Sequence, residues 1–95
     1  MNALGGEWTL VRGSLTMETV PALFESGLQR LAGDDFRVDF SQVDSVDSAA
    51  VSMLLGWSRA ARRLHHGLHV KGLSEDFLSL AHLYGVAEML PEQSD

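Results

Sequence analysis

Asp39-Phe40-Ser41-Gln42-Val43-Asp44-Ser45-Val46-Asp47-Ser48-Ala49-Ala50-Val51-Ser52-Met53-Leu54-Leu55 decides how this chain folds. Its first residues close an alternating run, Phe36-Arg37-Val38-Asp39-Phe40, with Phe36, Val38 and Phe40 on one face, as in a half-buried strand. Ser41 to Asp47 is polar apart from Val43 and Val46 and predicts a loop whose apolar members tuck inward. From about Ser48 to Leu64 the period changes to that of a helix. At about 100° per residue, Ala50, Leu54, Trp57, Ala61 and Leu64 share one face, the expected core contact. The opposite face collects Ser48, Ser52, Leu55, Gly56, Arg59 and Arg63. A merely solvated face would carry Lys, Glu and Gln. This one begins small, includes a leucine and ends basic, as a docking face for a second protein would, with Asp47 as helix cap and loop residue. The bland alternative is that small residues are tolerated there and the arginines complement the negative end of the helix dipole.

Outward from this centre, strands and helices alternate. Trp8-Thr9-Leu10-Val11 predicts a strand closed by Arg12-Gly13. Val20, Leu23, Phe24, Leu28 and Leu31 predict an amphipathic helix over Thr19 to Leu31, with Thr19 as cap, Pro21 in the first turn and Gly33 as the stop. Past His66-Gly67, Leu68-His69-Val70-Lys71 predicts a further strand. Ser74 caps a third helix that carries Phe77, Leu78, Leu80, Ala81 and Leu83 and ends at Gly85. Val86 to Leu90 closes the chain before Pro91. The expectation is a single α/β domain over residues 1–95, core about 8–91: a sandwich of a small mixed sheet with helices mainly on one face. Trp8 and Trp57 are expected as core aromatics.

Composition narrows the function. The chain has 95 residues, 45% hydrophobic and 21% charged, with a formal net charge of −6. That balance argues against a general nucleic-acid binder and against adhesion to an anionic membrane by charge alone. Without cysteine, neither disulfides nor thiol catalysis is available. The start, Met1 to Trp8, lacks the basic and apolar regions of a secretory signal, and Ala49 to Trp57 is too short to span a bilayer. Gly5-Gly6 lacks the Lys-Ser/Thr of a phosphate loop. His65-His66-x-x-His69 straddles a helix end and a strand start, so its rings would not converge on a metal. Asp34-Asp35 and Asp44/Asp47 sit where turns and caps favour aspartate. Ser48 beside Asp47 lacks the Gly-x-Ser-x-Gly elbow of a hydrolase. No catalytic residue, metal or cofactor is expected.

The stretch Asp39 to Leu55 resembles the signature of the STAS family, the sulfate transporter and anti-sigma-factor antagonist domains. There a strand ends in apolar-Asp-apolar-Ser, and after a loop an Asp-Ser/Thr pair starts a helix. The resemblance runs from about Trp8 to Pro91, and the closing Leu83-Tyr84-Gly85-Val86-Ala87-Glu88-Met89-Leu90-Pro91 is similar to the short MlaB subgroup. Two departures stand out. The usual Gly-Leu after Asp-Ser is Ala50-Val51, and the Gly-Glu-Leu-Asp after the first strands is Gly13-Ser14-Leu15-Thr16, without its acids. The resemblance implies a non-catalytic cytoplasmic subunit, peripheral to the inner membrane through its partner, the ATPase of an ABC transporter that maintains outer-membrane lipid asymmetry. The alternative it implies is an anti-sigma-factor antagonist, partnered by an anti-sigma factor or serine kinase and switched by phosphorylation of Ser48, the matching position.

Overall fold

The computed structural model describes residues 7–94; the Gly5-Gly6 pair lies outside the described residues. The element order is β1 (Thr9–Leu15), α1 (Val20–Gly33), β2 (Phe36–Val46), α2 (Ser48–Leu64), β3 (Leu68–Lys71), α3 (Glu75–Leu83) and a 3-10 turn, η1 (Ala87–Met89). The strands form one sheet in the order β1-β2-β3. Both pairings are parallel, in place of the mixed sheet expected among these strands. The reason is connectivity: α1 joins β1 to β2 and α2 joins β2 to β3, and a strand that returns through a helix runs in the same direction as its neighbour.

All three helices cover one side of the sheet. Phe36, Val38 and Phe40 alternate onto that side and are buried. The Phe36 ring meets Trp57 of α2 edge-on, with centroids 5.2 Å apart, while the Phe40 ring lies 6.3 Å from Phe77 of α3. Trp57 is 0% exposed, and its indole N–H donates to the Phe24 carbonyl of α1 at 3.0 Å. Gly27 of α1 is bare because the indole lies against it: a Cβ there would stand 2.3 Å from the ring. The other side of the sheet carries Arg37, Asp39, His69 and Lys71. Trp8 belongs there and not to the core, half-buried with the Lys71 ammonium 4.3 Å from its ring centroid.

β2 is longer than its pattern predicts. Ser41 to Val46 is strand, not loop, and pairs with β1 through Leu15↔Val46, with register shifts between Leu10/Arg12 and Gly13/Ser14. Its residues are polar because β3 pairs only with Phe36 to Asp39. Beyond that point most side chains of β2 face water, and the alternation that marks a half-buried strand fades. Gly72, at φ +77°, turns the chain away from β2 so closely that a Cβ would lie 2.6 Å from the Ser41 amide nitrogen. Gln93 bridges to Val70, and the Ser94 N–H donates to the Val70 carbonyl at 2.7 Å, which covers part of the outer edge of β3. Leu64, expected in the core, is 38% exposed: it is the last residue of α2, where the chain leaves through left-handed His65.

A polar knot joins the α1–β2 and α2–β3 turns. The Gly67 N–H donates to Asp35 Oδ1 at 2.7 Å, the Phe36 N–H to the Gly67 carbonyl at 2.9 Å, and His69 Nε2 lies 3.9 Å from Asp35 Oδ2. The His66 Nδ1–H donates to the Leu31 carbonyl. His65, His66 and His69 are thus turned to separate tasks. The Gly67 hydrogen bond is the main reason the Asp35 carboxyl titrates below its ordinary value; partial burial opposes it, and the charges of His69, Arg37 and His66 assist.

Two predictions follow from this packing. Gly27→Ala should destabilise by about 1–3 kcal/mol in urea unfolding, because overpacking against a fixed indole outweighs the helix-propensity gain of about 1 kcal/mol. Gly56→Ala should cost less, since its Cβ would meet only the movable outer edge of the half-buried Phe24 ring. For Asp35 the lowered pKa sets the sign. Its contribution is fully present above the unfolded value of about 3.9 and is lost as pH falls through the lower folded value. Asp35→Asn should therefore be less stable than the parent at pH 7, with the difference shrinking below about pH 4 in urea titrations.

Candidate functional site

The start of α2 is built from the far ends of β1 and β2. Where their pairing stops, the Asp47 N–H donates to the Leu15 carbonyl at 3.1 Å. Asp47 is the N-cap: Oδ1 accepts from the Ala49 N–H at 2.8 Å and Oδ2 from the Met17 N–H at 3.2 Å. One carboxylate thus holds both the helix start and the β1–α1 turn. The turn is braced from inside. Thr19 occupies the cap position of α1, yet its Oγ1 accepts from the Thr16 N–H and donates to the Ser14 carbonyl instead of capping the helix. Ser45 Oγ donates to Ser14 Oγ at 3.0 Å across the strands.

With Asp47 as cap, Ser48 becomes the first residue of α2 and is exposed. Ser52, one turn on, is exposed as well, and so are Arg59 and Arg63. These four share a solvent-facing side because Ala50, Leu54, Trp57 and Ala61 are buried on the opposite one. Leu55 is half-buried and packs at the edge of the core. Gly56 departs from the docking stripe: its bareness is used inside the domain, where the Phe24 ring of α1 lies against it.

Two apolar residues join this surface without having been singled out in the sequence. Met17 is 73% exposed in the turn held by Asp47, and Met89 of η1 is 60% exposed beside Leu55. Met17 is an apolar residue lying between a strand and a helix and belonging to neither period; that was the available signal. Met89 has no such mark, because it lies in a closing segment, Val86 to Leu90, that is apolar throughout.

The side chains at the start of α2 are small, Met17 is exposed in the neighbouring turn, and the face turns cationic toward Arg63. Asp47→Ala removes both carboxylate bonds and should lower the thermal midpoint by the equivalent of about 1 kcal/mol, with Asp47→Asn recovering only part of it, because its one amide oxygen can accept from Ala49 while its NH2 group cannot accept from Met17.

A search of curated proteins finds no match to the chain. A family model described as "Mlab, STAS domain" matches residues 10–91, from the second residue of β1 to just past η1. That span takes in nearly all of the sheet, all three helices and the whole exposed face of α2, so the chain belongs to the STAS domain family.

Proposed function

We propose that this chain is a non-catalytic interaction subunit that docks the opening turns of α2 onto the ATPase of an ABC transporter for phospholipids, regulating that ATPase and, through it, outer-membrane lipid asymmetry. One observation carries the reading: Asp47 caps α2 and holds the β1–α1 turn, leaving Ser48 and Ser52 exposed on the helix and Met17 exposed in that turn. STAS domains act as interaction and regulatory modules, which sets the class. The resemblance to the MlaB subgroup supplies the partner. Such a subunit works in the cytoplasm and reaches the inner membrane through that partner. No helix of the described residues is long and apolar enough to cross a membrane.

Energetically the anchor is Met17. Burying a side chain of that kind is worth about 1.5–3 kcal/mol, whereas Ser48 and Ser52 contribute by allowing close approach. Leu55 takes part through its exposed edge, with Arg59 and Arg63 continuing the contact.

The exposed Ser48 hydroxyl also favours a second reading, an anti-sigma-factor antagonist controlled by phosphorylation of Ser48 through a serine kinase. Two features weigh against it. A phosphate on Ser48 would sit beside the Asp47 carboxylate, which already accepts from an N–H of the first turn. Gly13-Ser14-Leu15-Thr16 also lacks the acids that the antagonists carry near their partner.

Co-expression with the transporter ATPase tests the proposal. Ser52→Arg and Ser48→Arg should each reduce co-purification by at least about tenfold while the circular dichroism spectrum and thermal midpoint hold. Leu55→Asp is a poorer probe, because Leu55 also packs at the core. Full co-purification by both folded arginine variants would defeat the proposal, and stoichiometric phosphorylation of Ser48 by a cognate kinase, read by mass spectrometry, would favour the alternative.

A further inference from the structure

The chain has seven Lys and Arg residues in all, and three of them, Arg59, Arg62 and Arg63, are in α2, which has no acidic residue. With a net charge of −6 for the chain and +3 for α2, the remainder carries −9. All three arginines are exposed. Among the described residues the only ion pair is His69–Asp35, so none of the three has a carboxylate of those residues within 4.0 Å. The helix dipole accounts for Arg62 and Arg63 in the last turn, but its influence fades before Arg59.

Arg59 and Arg62 border a cleft of about 350 Å³ between α2 and η1, lined also by Leu55, Ser58, Glu88 and Met89. That volume is at the small end of what ligand sites use. The cleft adjoins a second hollow of about 230 Å³ that shares Ser58, Arg62, Glu88 and Met89 with it and extends to Leu90 and Pro91. Ser58 is common to both, and its Oγ is buried without a hydrogen-bond partner among the described residues. A buried hydroxyl left unpaired costs about 1–3 kcal/mol. The cleft thus combines apolar lips (Leu55 and Met89), two cations against the single carboxylate of Glu88, and one unmet hydroxyl.

We infer that this cleft receives an acidic, apolar-flanked segment of the protein that docks on α2, with a side-chain carboxylate between Arg59 and Arg62 and its apolar neighbour against Leu55 and Met89. The inference rests on the docking proposal, since the cleft begins at Leu55, on the border of that face. Charge selects this occupant. A planar anionic surface would meet the −9 carried by the rest of the domain, whereas a single extended segment enters between the two arginines and leaves that charge at a distance. Guanidinium groups suit a carboxylate because they can bind it through two parallel hydrogen bonds.

Two measurements on the full chain separate this inference from the proposal it rests on. In the first, the 15N-labelled chain is titrated with a short peptide of alternating Leu and Glu, then with one of alternating Leu and Lys, then with vesicles containing phosphatidylglycerol. The acidic peptide should shift the amide signals of Ser58, Arg59, Arg62 and Met89, and the basic peptide should leave them in place. Arg59→Ala/Arg62→Ala should weaken the acidic peptide by about tenfold or more at an unchanged thermal midpoint. In the second, the same double variant should bind the transporter ATPase more weakly and with a flatter dependence on salt than the parent. Equal response to both peptides, binding to the vesicles instead, or a double variant indistinguishable from the parent would overturn the inference. Failure of the parent chain to bind the ATPase counts against the docking proposal alone, because the peptide titration still decides whether the cleft takes an acidic segment.

Discussion

The indole of Trp57 holds the layers of this domain together. It meets Phe36 in the middle strand with the two rings nearly perpendicular, its N–H donates to the Phe24 carbonyl of α1, and its ring lies against the space left bare by Gly27. Sheet, first helix and second helix therefore share one buried group, and none can rotate without disturbing the other two. On a helical wheel Ser48 and Arg59 lie nearly opposite Trp57, with Ser52 close beside them. Seating the indole thus forces the small and basic residues outward: the core contact and the exposed stripe are two sides of one constraint.

A parallel sheet then sets where the helix begins. In open α/β sheets, ligands and partners gather at the carboxyl ends of the strands, because the connections that leave there are free to vary. Here β1 and β2 end in register at Leu15↔Val46, and the next residue, Asp47, hydrogen-bonds to both departing chains through its backbone and its carboxylate. The turn that carries Met17 and the helix that Ser48 opens are both tied to this one residue, although thirty-one positions separate the two. A short aspartate fits because its carboxylate reaches Ala49 and Met17 while its own backbone stays extended.

What the chain discloses in advance follows from how strongly each element depends on local pattern. α2 spans Ser48 to Leu64, as its period predicts, because a helix half-buried over its whole length repeats its core face several times. β3 and α3 were legible for the same reason, the latter through Ser74, whose side chain does accept from the Phe77 N–H. The second half of β2 was not, since a strand with one neighbour and mostly solvated side chains has the composition of a loop. Trp8 was misplaced because aromatic character does not tell which side of a strand faces the helices. Within the candidate site, exposure of Ser48 and Ser52 follows from periodicity, but the use of Gly56 does not. Whether a bare position admits a partner or a neighbouring helix depends on tertiary placement, and Phe24 belongs to an element that only the fold brings near. Met17 and Met89 were missed on the same ground: their nearness to α2 is made by a turn and by the closing segment, not by spacing.

The exposed side of α2 divides into two halves with different physics. Its first turns are neutral and small, so contact there depends on shape and on excluding water, interactions that act at short range and are little affected by salt. Its later turns carry three exposed guanidinium groups on a domain that is otherwise strongly acidic, so their field is felt at the range of the Debye length, about 8 Å at physiological ionic strength. In the proposed docking, an approaching acidic segment would be drawn toward the Arg59–Arg62 end and turned away elsewhere, which would orient the encounter before the small-residue turns come into contact. Orientation by charge and retention by close packing would then be separated along a single helix, with Leu55 at the border between them.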